Sequence, residues 1–189
     1  MDTLFRITHS SNFNTSIQAL MLIQQLSIGR QIATDRFYRT LYESLLDPRL
    51  ATSSKQALYL NLLYRSLKSD VDVRRVKAFT KRMLQVLNLQ QPSFVCGILY
   101  LISELSEVFA DLRTLLTVPE EYDEDEIIHD AGSVDTPDGD TDLGCSRPAS
   151  AYDGRKRDPE YSNAHRSCLW ELVSIPSGYP CDAREGLTD

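Results

Sequence analysis

The chain has 189 residues, of which 42% are hydrophobic and 25% charged, and it carries a formal charge of -7. That length fits one domain with extensions, since a domain takes roughly 100–200 residues. Eight glycines and eight prolines exclude a collagen-like or wholly disordered chain, and no window approaches the ~18 uninterrupted apolar residues of a membrane span.

The first 117 residues read as successive amphipathic helices. Ser16 to Ile23 starts one after the polar stretch His9 to Thr15, and Gly29 ends it. Thr34 or Asp35 caps the next, whose apolar positions Phe37, Tyr38, Leu41, Tyr42, Leu45 and Leu46 follow the helical period. Asp47-Pro48 stops it, because proline cannot continue the hydrogen-bond ladder. Ser53-Ser54 caps a third helix through Leu58, Leu62, Leu63 and Leu67. Asp70 or Asp72 caps a fourth through Val73, Val76, Phe79, Met83 and Leu87. Pro92-Ser93 opens a fifth, from Phe94 to about Phe109, and its uncharged stretch Phe94 to Ile102 predicts the buried central helix. Asp111 restarts a short sixth before Pro119. A helix pair of about 40 residues has the length of a HEAT or armadillo repeat. The fold class expected is therefore all-α, a helical-repeat array over 1–117.

Charge is partitioned along the chain. Residues 1–117 carry 14 basic and 9 acidic side chains, whereas 118–145 carry 11 acidic and none basic. Such a segment cannot bury enough apolar surface to offset its chain entropy, so 118–151 is expected to be a disordered acidic linker. A short block follows at 152–172, and 173–189 has no periodicity. The N-terminus, Met1 to Arg6, lacks a basic run followed by an apolar block, so no secretory signal is visible. The four cysteines, Cys96, Cys145, Cys168 and Cys181, show no CxxC spacing, which speaks against a disulfide framework and for a reducing compartment.

Catalytic and metal motifs are missing from the sequence. No phosphate-binding loop, dinucleotide fingerprint or hydrolase elbow is present. His9, His129 and His165 are scattered, and His165 with Cys168 supplies too few ligands for zinc. Asp123, Asp125 and Glu126 lack the spacing and glycine of a calcium loop. Cys96, among apolar neighbours, reads as an inert core thiol. No metal, cofactor or small-molecule substrate is expected.

The fourth helix carries the best candidate site. At about 100° per residue, Arg74, Arg75, Lys77, Lys81 and Arg82 fall on one arc, opposite Val73, Val76, Phe79, Met83, Val86 and Leu87. Five like charges on one face repel, so an acidic partner would stabilise them, and nucleic-acid phosphate is the obvious one. The plainer alternative is the solvated face of a core-packed helix. Arg155-Lys156-Arg157 is a second, weaker basic cluster. Trp170 reads as an anchor into the helical body.

Several blocks in order resemble the CCAAT-binding factor family. They are Asp35 to Tyr42 with Leu46 to Leu50, Ser54 to Lys68, Arg74 to Gln85, and Cys96 to Glu104. After the acidic insert come Tyr152 to Pro159 and Ser167 to Leu172. The resemblance covers about residues 4–172. It implies a non-enzymatic helical-repeat scaffold of the nucleus and nucleolus that assists large ribosomal subunit assembly. Such a scaffold would bind pre-ribosomal RNA and assembly factors of the same family. Family members are several times longer, so a truncated or fragmentary member is expected. Gly154 stands where the family usually has proline. The blocks end at Leu172, and Val173 to Asp189 is expected to be an unrelated tail from read-through or a gene-model artefact.

Two other functions compete. One is a transcription regulator that binds CCAAT-box DNA, as the name of a vertebrate relative suggests. The sequence has no zinc finger, basic zipper or clear helix-turn-helix for base readout. The other is a pure protein–protein adaptor whose basic face meets an acidic tail, with its own segment 118–145 as one candidate.

Overall fold

The computed structural model describes residues 2–30, 34–117 and 151–172, and among these every regular element is helical. The all-α class expected from periodicity is the class observed. The acidic linker, the tail after Leu172, His129, Cys145, Cys181 and the acidic trio at 123–126 lie outside the described residues.

Seven α-helices order the body. They are α1 (Asp2–Thr8), α2 (Phe13–Arg30), α3 (Thr34–Ser44), α4 (Gln56–Lys68), α5 (Val73–Val86), α6 (Pro92–Val108) and α7 (Thr114–Thr117). Periodicity does not reveal α1. A seven-residue helix has too few turns to show a period, and it is held by tertiary contacts. Phe5 is buried, and Arg36 of α3 stacks over its ring at 4.2 Å while bonding Asp2 at 2.6 Å.

Helix starts follow local chemistry. Asp47 accepts from the Arg49 N–H at 2.9 Å and caps the 3₁₀ turn Pro48–Thr52, with proline at its first position. The Ser53 hydroxyl accepts from the Lys55 N–H, but Lys55 itself stands at the N-cap of α4 without a side-chain bond, so the expected Ser53-Ser54 cap does not form. Asp72, one of the two candidates, caps α5 by accepting from the Arg74 N–H at 2.9 Å. Pro92 opens α6 where its missing N–H leaves no bond unmade. Past α6, Ala110–Arg113 forms a 3₁₀ turn that leads into α7.

One core runs through all of this. Ile17, Leu20 and Ile23 of α2 meet Leu41 and Tyr42 of α3, Leu63 of α4 and Phe79 of α5. Tyr38 and Tyr42 approach the Phe79 ring edge-on, with centroids 6.3 and 5.0 Å away. Such aromatic pairs contribute about 0.5–1.5 kcal/mol beyond their buried area. Gln24 and Tyr38 both bond Ser66, the former to its hydroxyl and the latter to its carbonyl, so these buried polar atoms are paired.

The central helix is α5, and α6 lies at the edge. Ten of the fourteen α5 residues are buried, including Arg75, Lys81 and Arg82. In α6 only one stripe is buried, Phe94, Val95, Ile98, Leu101 and Leu105. Its other side leaves Tyr100 69% exposed, and Cys96 is exposed as well, against the expected inert core thiol. Hydrophobicity ranked these two helices in the wrong order, because what covers α5 is polar.

That cover is residues 151–172, termed the strap below. It contains three 3₁₀ turns, Pro159–Ser162, Ala164–Arg166 and Trp170–Leu172, all packed along α5. Ala164 and Leu169 enter the same core as the body, and the Leu169 N–H donates to the Leu115 carbonyl at 2.9 Å. Asn163 takes a left-handed conformation, φ 55°, where the first turn breaks into the second, a conformation that asparagine tolerates better than most residues. Trp170, expected as the anchor, stays 53% exposed, and Leu169 and Ala164 take that role.

Candidate nucleic-acid interface

The five cations of α5 separate into two groups. Arg75, Lys81 and Arg82 point into the strap and are buried, Arg74 is exposed and Lys77 is half-buried. The repulsion on the basic arc does call for an electronegative partner. Within the folded chain, the strap supplies that partner for Lys81 and shares the task with Asp70 for Arg75 and with the Tyr42 carbonyl for Arg82.

Arg75 is held by carboxylates. Its Nε and Nη2 donate to both oxygens of Asp70 at 2.6 and 2.7 Å, and Nη1 donates to Glu160 of the strap at 2.6 Å. The guanidinium also lies 4.1 Å above the Tyr38 ring. Burial disfavours the charge, yet Asp70 and Glu160 outweigh it and hold the Arg75 pKa above its ordinary value. A bidentate arginine–carboxylate pair is among the stronger polar contacts.

Lys81 is held by a mixed cage. Its ammonium donates to the Cys168 carbonyl at 2.6 Å and pairs with Glu171 at 3.1 Å. The Tyr152 and Trp170 rings lie 5.0 and 5.5 Å away. Gln85 links this cage together, donating to Glu171 and accepting from the Tyr152 hydroxyl, each at 3.0 Å. So the exposed Trp170 ring covers a buried lysine.

Arg82 has no carboxylate among its hydrogen-bond partners. It donates to three carbonyls, Tyr42 at 3.1 Å, Gly154 at 2.6 Å and Lys156 at 3.0 Å, and stacks 3.3 Å above the Tyr42 ring. Burial lowers its pKa, and the nearby phenols Tyr42 and Tyr152 oppose that shift. The strap backbone around Gly154 is thus the ligand of a buried guanidinium.

Arg75, Lys81 and Arg82 therefore cannot reach phosphate while the strap is docked. This corrects the single five-cation face read from the helical wheel. A wheel separates polar from apolar arcs but does not identify what covers the polar one. Arg155, Lys156 and Arg157 are exposed on the strap, and Arg157 pairs with Glu43 of α3 at 3.0 Å. Arg39 of α3 pairs with Asp158 next to it. Glu160, Glu171, Gln85 and Tyr152 are not singled out by sequence. Their partners lie 67–90 positions away along the chain, and no local pattern carries that information.

Two cations of the arc remain at the surface. Ala164 is buried against α5, which places His165 within the field of Arg74 and Lys77. Lys77 is oriented by donating to the Thr114 hydroxyl at 2.9 Å. Burial, followed by the charges of Arg74, Arg166 and Lys77, holds the His165 pKa below its ordinary 6.5, and Asp72 opposes them.

Architecture and site together define a helical domain closed by a strap, and no described helix is long and apolar enough to cross a membrane. Residues 16–180 match the CBF/Mak21 family, and the chain belongs to that family. The match runs past Leu172 to residue 180, so the resemblance extends further than its blocks suggested. The ribosome biogenesis protein NOC1 of Chaetomium thermophilum is 66% identical over 95% of this chain. Human CCAAT/enhancer-binding protein zeta is 40% identical over 93% of it, and nucleolar complex protein 1 of Drosophila melanogaster is 34% identical over 65%. The chain spans only 18%, 20% and 11% of the length of these three relatives.

Proposed function

We propose that the chain acts as a non-enzymatic scaffold segment in nucleolar assembly of the large ribosomal subunit, and that it binds pre-ribosomal RNA and assembly factors of its own family. The names of the relatives, ribosome biogenesis protein and nucleolar complex protein, support the assembly role. The observation that carries the RNA reading is the set of cations left outside the strap's grip, namely Arg74, Lys77, Arg155, Lys156 and Arg157. Phosphate contacts of this kind need no base-reading element.

The name CCAAT/enhancer-binding protein zeta favours a second reading, binding of CCAAT-box DNA. Its weakness is geometric. A recognition helix must enter the major groove, and on α5 three of the five cations, Arg75, Lys81 and Arg82, are held under the strap.

The test is a competition on the full chain between a large-subunit precursor transcript and CCAAT duplex DNA, across a salt series. RNA preference with affinity falling steeply in salt is expected. Equal or stronger binding of the duplex, dependent on the CCAAT bases, would replace this reading with the second. Binding of neither nucleic acid at any salt would leave the adaptor reading.

A further inference from the structure

We propose that Trp170 of the strap and Lys77 of α5 form a site for one nucleotide of single-stranded RNA, the indole stacking on the base and the ammonium holding the phosphate. This site deepens the RNA-binding reading above and rests on it.

A chain of contacts places the two residues together. The strap follows α5 in the direction of the helix, with Glu160 on Arg75, Cys168 on Lys81 and Glu171 on Gln85. The Trp170 ring lies 5.5 Å from the Lys81 ammonium, and Lys77 precedes Lys81 by one turn, so the two lysines share a face. On the other side, the Leu169 N–H donates to the Leu115 carbonyl at 2.9 Å, and the adjacent Thr114 hydroxyl accepts from the Lys77 ammonium at 2.9 Å. Trp170 and Lys77 are thus tied together through both α5 and α7. One helical turn rises about 5.4 Å, a step that a single nucleotide spans between its phosphate and its base.

Each group suits that ligand chemically. Trp170 is the one tryptophan of the chain, and it stays 53% exposed between the buried residues Leu169 and Glu171. The Lys81 ammonium against its ring holds the indole in place while more than half of it remains open. A fixed, solvated indole calls for a flat apolar ligand, and a nucleic-acid base stacks on such a ring whatever the sequence. Lys77 is fixed as well. The Thr114 hydroxyl donates to the Asp111 carbonyl and so turns a lone pair toward the Lys77 ammonium, which keeps two donors for a phosphate oxygen. Arg74, exposed one turn earlier on α5, extends the cationic side of the site. An apolar protein side chain can also cover an indole, but it leaves the adjoining ammonium without an anion, whereas a nucleotide satisfies both.

Because Trp170 is the single tryptophan, its fluorescence reports on this site alone. The experiment titrates the full chain with an RNA hairpin carrying single-stranded flanks, following tryptophan emission and, with labelled RNA, anisotropy across a salt series. Saturable quenching by the hairpin is expected, with none from inorganic polyphosphate, which has phosphates and no bases. Trp170→Ala should weaken RNA binding about tenfold, within the range of one lost base stack, and leave the slope of log affinity against log salt unchanged. Lys77→Gln should lower that slope by about 0.7, for one single-stranded phosphate no longer neutralised. Trp170→Phe keeps a ring over Lys81 and should retain most of the affinity, and circular dichroism melts of every variant separate lost stacking from unfolding. Hairpin binding without quenching, equal quenching by polyphosphate, or full affinity in a folded Trp170→Ala overturns this site and leaves the RNA reading standing. Absence of RNA binding by anisotropy at low salt overturns both.

Discussion

The Lys81 ammonium lies 3.1 Å from a Glu171 carboxylate oxygen, and both side chains are withdrawn from solvent. One residue belongs to the central helix and the other to the last described turn of the strap. The pair closes the domain. A buried ion pair is costly to break from one side because the remaining charge is stranded. Removing one partner costs roughly 3–5 kcal/mol, while replacing both by apolar groups is often neutral. Glu171→Leu is therefore expected to destabilise the chain strongly, and Lys81→Met with Glu171→Leu to recover most of that loss. Urea unfolding of the two singles and the double checks this, and additive effects would show that the pair is not coupled.

Arg82 should not tolerate lysine. The guanidinium reaches three carbonyls and stacks on Tyr42 at once, and an ammonium cannot keep a planar stack and a fork together. Arg82→Lys is expected to cost about 2 kcal/mol, from hydrogen bonds to a charged group worth roughly 1.5–3 kcal/mol each. Strap release should accompany it, read as faster proteolysis after Arg155, Lys156 and Arg157. Wild-type cleavage kinetics in that variant would mean that Arg82 does not hold the strap.

Stability should respond to His165 below neutral pH. Burial and the cations Arg74, Arg166 and Lys77 lower its folded pKa from 6.5. The unfolded chain then takes up a proton first as pH falls. The penalty is nil well above 6.5, grows below it, and levels off once the folded imidazole is also protonated. An NMR titration should place the His165 midpoint below 6.5. Added RNA hairpin should move it upward, since phosphate offsets the neighbouring cations. A midpoint unmoved by saturating RNA would argue against phosphate beside this ring.

Gly97 marks a close approach of α6 to α4. A Cβ built there would lie 2.5 Å from Leu60 Cδ1. The far end of a leucine can rotate away, and alanine gains roughly 1 kcal/mol of helix propensity over glycine. Gly97→Ala is thus expected to lie within about 1 kcal/mol of wild type by this offset, and Gly97→Val to cost about 1–3 kcal/mol by overpacking. Leu60→Ala should relieve part of the valine penalty. Thermal melts of wild type, the two Gly97 variants and the Gly97→Val, Leu60→Ala double test whether these helices touch at Gly97.

Asp47 joins two local roles. It caps Pro48–Thr52, and it fixes Arg49, which donates to the Ser10 and Ser11 carbonyls at 2.9 and 2.6 Å. Asp47→Ala is expected to cost about 1 kcal/mol, the usual loss of an N-cap side chain. Bonds from the Arg49 side chain, opposed by burial, lower the Asp47 pKa from 3.8. Its contribution is present above that value and declines as pH drops through the lower folded pKa. Denaturation at neutral and at low pH should show a larger gap between wild type and variant at neutral pH.

Local sequence determined helices α2 to α6, the stop before Pro48, the start at Pro92 and the cap at Asp72, because periodicity and capping act within a few residues. The order of family blocks was also legible, since it is a property of the linear chain. Tertiary structure alone decided which helix is central and which cations face solvent. Arg75, Lys81 and Arg82 differ from Arg74 and Lys77 in what lies opposite them, strap groups together with Asp70 for Arg75 and Tyr42 for Arg82. The decisive partners, Glu160, Glu171 and the Gly154 and Lys156 carbonyls, lie 72–90 residues downstream. Burial of a cation depends on the pairing found there, and that pairing exists only once the chain has folded back on itself.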